Sequence, residues 1–124
     1  MTLQQGMDFK EANMAYLQDL FGGDVAIIKE MITLFLDQTP KDLAKLGQNI
    51  VEKDWEGTHR MAHHMKPTLG YVGAEGMRRE FEQIERMAKL PEVPVDELSH
   101  RFQMLSPRFE TLFEELNVYR DRLS

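Results

Sequence analysis

Along residues 98–116 the apolar side chains Leu98, Phe102, Leu105, Phe109, Leu112 and Leu116 recur at intervals of three and four. On a helical wheel they fall within about 80° of one another. A strand cannot gather such a set onto one side, because its faces alternate at every second residue. The same period returns in every other apolar stretch of the chain, and no alternating pattern runs long enough to compete. The fold is thereby confined to helices that bury one stripe each.

Residues 9–20 read as a first amphipathic helix through Phe9, Met14, Leu17 and Leu20, stopped by Phe21-Gly22-Gly23. Asp24 is a good N-cap for the next helix, because its side-chain oxygen can accept from an orphan N–H of the first turn. Val25, Ile28, Ile32 and Phe35 carry that stripe to Thr39-Pro40, and Leu43, Leu46 and Ile50 resume it. Pro40 lacks an N–H and crowds the preceding turn, so the pattern allows one long kinked helix or two short ones. Asp54 can cap a third helix beginning at Trp55, and Gly73 can end it in the left-handed conformation. Met77, Phe81, Ile84 and Ala88 form the next stripe, which ends at Leu90-Pro91. The last helix follows the loop at 91–94, and Pro107 is expected to bend it. Short connections between long amphipathic helices make neighbours antiparallel. The expected fold is all-α: an up-and-down four-helix bundle, core about 24–122, with an additional N-terminal helix.

The chain of 124 residues is long enough to bury a core as one domain, 1–124, and it contains no cysteine for disulfides or thiolate metal sites. Its first residues lack the basic and apolar regions of a secretory leader. No apolar run approaches the ~20 residues of a membrane span, and the expected location is the cytoplasm. A formal charge of −6 argues against a general nucleic-acid binder. Its distribution is more telling. Residues 57–70 hold Arg60, Lys66 and three histidines but no acid, which suggests an anionic partner at that segment.

That segment is the third helix. Met61, Met65, Leu69 and Val72 share one face, whereas His59, His63, Lys66 and Gly70 fall within about 60° of one another on the far side. An imidazole held out beside a second imidazole, an ammonium and a bare glycine is a plausible phosphoryl acceptor. Imidazoles titrate close to physiological pH, so a ring nitrogen with a free lone pair is available as a nucleophile. His64 lies about 100° further round and reads as a flank residue.

These residues carry a resemblance. Ala62-His63, Met65, Lys66 and Gly73-Ala74 stand at the offsets of a histidine-containing phosphotransfer domain, the intermediate carrier of multistep two-component signalling. Residues 24–46 are similar to the family's preceding helix, Ile84-Glu85 matches the hydrophobic-acid pair of the following one, and the likeness spans about residues 8–122. The resemblance implies a phosphorelay intermediate with His63 as phosphohistidine and Lys66 offsetting the phosphoryl charge. Gly70 would keep the face low for an approaching backbone. His59, Pro67, Gln83 and Arg86 would complete the partner-binding face, Gln83 and Arg86 coming with Glu82 from the following helix. The implied partners are response-regulator receiver domains and a hybrid sensor histidine kinase. The chain itself would be a monomer without a cofactor, and Mg²⁺ would be supplied by the receiver. Pro67 departs from the glycine most common at its position. It suggests a local bend and a freed His63 carbonyl.

Two other functions fit parts of the pattern. Glu56 with His59, and Glu97 with His100, have the Glu-x-x-His spacing of di-iron bundles, but both pairs lie opposite the apolar stripes. His59 and His63 at i, i+4 have the spacing to share a metal, though no glutamate follows the first histidine as in a zinc protease. A bundle that docks a signalling partner without carrying phosphate is the remaining alternative. An ATP-dependent kinase is disfavoured, since no glycine-rich phosphate loop is present.

Overall fold

The computed structural model describes residues 9–123. The expectations of a domain spanning 1–124 and of first residues lacking the basic and apolar regions of a secretory leader reach outside that range. Five helices follow in order: α1 (Met14–Leu20), α2 (Val25–Val51), α3 (Trp55–Tyr71), α4 (Glu75–Met87) and α5 (Val95–Arg122). Helix α3 packs between α2 and α4, α5 closes the ring against both, and α1 lies on α3. This is the expected bundle with its extra N-terminal helix, and the described residues contain no strand.

The core is the union of the stripes. Ile28, Ile32, Phe35 and Leu46 of α2 meet Met65 and Leu69 of α3, Met77, Phe81 and Ile84 of α4, and Leu98, Leu105, Phe109, Leu112 and Leu116 of α5. Phe81 and Phe109 pack edge-on with ring centroids 5.7 Å apart, and Phe109 continues to Phe113 at 5.8 Å. Such ring pairs add about 0.5–1.5 kcal/mol beyond simple burial. Thr58 and Ala62 of α3 are also fully buried. Their small side chains let α3 sit deep between its neighbours, and the apolar wheel did not single them out. Val25 and Leu20, placed in the stripes, are exposed instead, because each stands at a helix end beyond its packing partner.

The caps explain where the helices begin and stop. Asp24 accepts from the Ile27 N–H at 3.2 Å and Asp54 from the Gly57 N–H at 2.9 Å, as expected of both. Helix α3 ends in a Schellman turn: the Gly73 N–H donates to Gly70 O at 3.0 Å and the Ala74 N–H to Leu69 O at 2.9 Å, with Gly73 at φ +71°. Helix α2 ends the same way, but the left-handed position is held by Lys53 at φ +58°. Pro40, Pro67 and Pro107 interrupt nothing. Each lies within one continuous helix, which resolves α2 as a single element.

The first helix is shorter than its pattern suggested, starting at Met14 rather than at residue 9. Residues 10–12 are a bent strap whose N–H groups are taken by a side chain from the far end of the chain. Glu115, buried on α5, accepts from Lys10 (2.5 Å), Glu11 (3.0 Å) and Ala12 (2.9 Å). Glu11 in turn meets the Arg108 guanidinium at 2.9 and 3.0 Å. That pairing raises the guanidinium's proton affinity above the ordinary value despite partial burial. Asn13 then turns the chain: its N–H donates to Val72 O at 3.0 Å, and its side chain caps α1 at the Tyr16 N–H. With its amides committed to Glu115, the strap cannot join the helix.

Two substitutions test this account. A Cβ at Gly73 would stand 2.4 Å from Asn13 Cβ and 2.9 Å from the Asn13 backbone, in a left-handed conformation. Gly73→Ala should therefore cost at least about 2 kcal/mol in urea unfolding. Lys53→Gly relieves the opposite mismatch and should stabilise by about 1 kcal/mol, read by the same measurement.

Candidate functional site

The exposed face of α3 carries His63, whose side chain is 69 % accessible. It is nevertheless held. Its Nδ1 lies 2.7 Å from Oε1 of Glu85 on α4. The other carboxylate oxygen, Oε2, lies 2.5 Å from Nζ of Lys66. One turn earlier on α3, Nδ1 of His59 lies 3.1 Å from the backbone oxygen of the same Glu85. A single residue of α4 thus holds three side chains of α3. Helices α3 and α4 are joined by a tight turn and run antiparallel, so residues 59, 63 and 66 face the end of α4 that holds residue 85.

These contacts determine which imidazole nitrogens carry protons. A carboxylate oxygen and a carbonyl oxygen only accept, so Nδ1 of each ring must donate. In the neutral rings the lone pair is then at Nε2. The two rings are stacked nearly parallel, 11° apart with centroids separated by 6.5 Å. The described residues contain no group of three or more potential metal ligands. Glu56, Glu97 and His100 of the two Glu-x-x-His pairs are exposed, and Glu97 is paired with Arg101 at 3.6 Å.

Glu85 lies in a largely buried setting, its side chain 13 % accessible. Burial pushes its proton affinity up, but hydrogen bonds from Lys66 and His63, with their charges, outweigh that push and hold it below the ordinary value for a glutamate. The carboxylate is therefore ionised across the physiological range and serves the imidazole only as an acceptor. Lys66 is less open than its wheel position suggested. Its stem is packed down and its side chain is 19 % accessible, because the ammonium turns toward Glu85 rather than outward.

The remaining expected site residues lie around this group. Gly70 follows His63 by two turns. A Cβ there would find only Arg78 Cδ, at 3.9 Å, so the face is low as expected. Pro67 is exposed beside it. His64 is exposed on the flank, with Nε2 3.9 Å from Asp42 Oδ2. Of the α4 residues expected at the level of His63, Gln83 is half-buried, while Arg86 is exposed and faces Glu82 at 3.8 Å. Glu85 is the residue that reaches the ring. The signal that could have found it was present: an acid beside buried Ile84, on a helix returning past a segment with no acid of its own. The acid missing from residues 57–70 is supplied by the neighbouring helix.

The described residues form an all-helical bundle that holds an oriented imidazole out to solvent. The chain matches the Hpt domain family over residues 30–118 and belongs to it. Hpt domains are histidine phosphotransfer modules of phosphorelays, working with receiver domains and kinases, and are carriers rather than kinases themselves. No curated protein and no solved structure gave a match. Among the described residues, no helix is long and apolar enough to cross a membrane.

The depressed proton affinity of Glu85 has a measurable sign. Its stabilising contribution is complete above the unfolded value, about pH 4.3, and is lost as pH falls through the lower folded value. A carbon-13 titration of the Glu85 carboxyl should give a midpoint below the ordinary value for a glutamate. In Lys66→Met the midpoint should rise, since burial then meets less opposition. A wild-type midpoint at or above the ordinary value would contradict the geometry.

Proposed function

We propose that this chain is a phosphorelay intermediate whose carrier is His63, exchanging phosphoryl groups with the aspartates of receiver domains. The observation that carries this reading is the 2.7 Å contact between Nδ1 of His63 and the Glu85 carboxylate. It keeps the ring in one tautomer and one orientation while leaving Nε2 open to solvent.

The chemistry follows from that tautomer. The Nε2 lone pair attacks the phosphorus of a phosphoaspartate brought up in line. The P–Nε2 bond forms as the P–O bond breaks, and the departing electron pair returns to the aspartate as a carboxylate. The Nδ1 proton stays on the ring, so positive charge develops there, and Glu85 offsets it through the bond it already makes. In reverse, the same positively charged ring is a good leaving group, which suits a carrier that must give up what it accepts. Phosphoryl transfer otherwise needs positioning and charge stabilisation. Mg²⁺ belongs to the receiver in this scheme. Lys66 secures Glu85 and adds positive charge one turn from the phosphoryl group.

The surroundings suit a docking partner. Gly70 and Pro67 extend the face without bulk. On its flank, beside His64, an apolar groove of about 290 Å³ runs between α1, α2 and α3, with Leu17, Phe21, Leu34, Phe35 and Tyr71 in its walls. Leu34 and Tyr71 are exposed at its rim. A receiver presenting an apolar helix can cover the groove while its acidic site meets His63. A cytoplasmic location and a monomeric carrier complete the proposal.

Incubation with a phosphorylated receiver domain should transfer label that is acid-labile and base-stable, and His63→Gln should abolish it while the helical content stays unchanged. Glu85→Gln should retain labelling at a reduced rate, because the ring loses the charged acceptor that orients it and offsets its positive charge. Receiver binding without any label would identify a docking module instead.

A further inference from the structure

The carrier scheme uses one imidazole, yet two hang from Glu85. His59 is half-buried one turn before His63, its Nδ1 donating to the Glu85 backbone oxygen at 3.1 Å and its ring nearly parallel to that of His63 at 6.5 Å. Resting on the carrier reading above, we propose that His59 is a proton-linked positioning residue for the phosphoryl group. It takes up a proton when His63 is phosphorylated, and so makes the phosphoryl-holding power of this chain depend on pH.

The inference follows from the two tethers. Both rings turn Nδ1 toward Glu85, so both Nε2 atoms lie on the far side of their rings, and a phosphoryl group on His63 Nε2 sits about one ring spacing from His59. Neutral His59 offers the phosphoryl group no charge, whereas its imidazolium form places a positive charge about one ring spacing away. Phosphorylation and proton uptake therefore favour each other, and by linkage each must promote the other by the same factor. A unit charge roughly 6–7 Å from a dianion, in largely aqueous surroundings and with screening by salt, sets that factor at about three- to tenfold. The proton comes from solvent, and no other bond changes.

The charged neighbours leave room for such a response. On α3 they are Glu56 in the first turn, Arg60, and beyond His63, Lys66. On α4 they are Glu82, Glu85, Arg86 and Lys89. The Glu85 carboxylate is committed to Lys66 and His63, and Glu82 faces Arg86. An arriving phosphoryl group is then the largest new charge that His59 meets. The orientation of His59 is likewise set before any phosphoryl group arrives, because its anchor is a main-chain oxygen inside α4.

The test separates this inference from the carrier reading. The intact chain is phosphorylated with phosphoramidate, which needs no partner, and the protonated fraction of His59 is read from its ring carbon shifts at pH 7 before and after. That fraction should rise on phosphorylation. In parallel, the partition of phosphoryl between the chain and a receiver domain is measured from pH 8 to pH 6 for wild type and His59→Gln. The wild-type to variant ratio should grow about three- to tenfold toward pH 6, a change that a purely structural role for His59 would not produce. If His63 is labelled while the ring shifts and the ratio stay flat, the role of His59 is overturned and the carrier reading stands. If His63 takes no phosphoryl group, both are overturned.

Discussion

Everything on the exposed face of α3 around His63 depends on one half-hidden carboxylate. Glu85 is buried enough to discriminate among partners and charged enough to need them, and α3 answers with an ammonium and an imidazole. A carboxylate in that setting is tolerated because both oxygens are satisfied. The ammonium satisfies one oxygen and leaves the other free to hold a ring. The exposed histidine thereby escapes the rotational freedom of an ordinary surface side chain, although more than half of it is in water.

Much of the architecture was legible because it rests on local rules. Helix stripes are written in a single segment, and so are caps such as Asp24 and Asp54 and stops such as Gly73. The face bearing His63 and Gly70 could be read for the same reason. Glu85 was harder, because its contact depends on the register between two helices. That register depends on how the buried faces of α3 and α4 pack, and no periodicity encodes it. Lys66 illustrates the same gap: the wheel gave its angle on α3 but not that its ammonium would bend toward α4. The strap was missed on a different ground. Its amides are claimed by Glu115, about a hundred positions away, and a purely local pattern of apolar residues naturally extended α1 backward through them.

The three internal prolines show how a long helix tolerates a residue usually read as its end. Pro40, Pro67 and Pro107 are all exposed, so the carbonyl each leaves without a backbone donor has water within reach. Burial would have made the same omission expensive. Pro67 is of particular interest because the carbonyl it leaves without that donor belongs to His63. The backbone at the carrier position is thus less tied to its own helix than at neighbouring turns, while its side chain is tied to the next one.

The strap held by Glu115 also bears on the order in which the molecule can be assembled. The contact joins residues 10–12 to position 115, with separations of 103 to 105 residues. During synthesis the first of these segments leaves the ribosome long before the second exists. Until α5 is made, the amides of the strap have no carboxylate to meet, and the entry of α1 onto α3 rests on the Asn13–Val72 bond alone. The earliest residues of the described chain are therefore among the last to find their place. The bundle is closed from its C-terminal helix, like a bag whose drawstring is threaded at the mouth and pulled tight at the end.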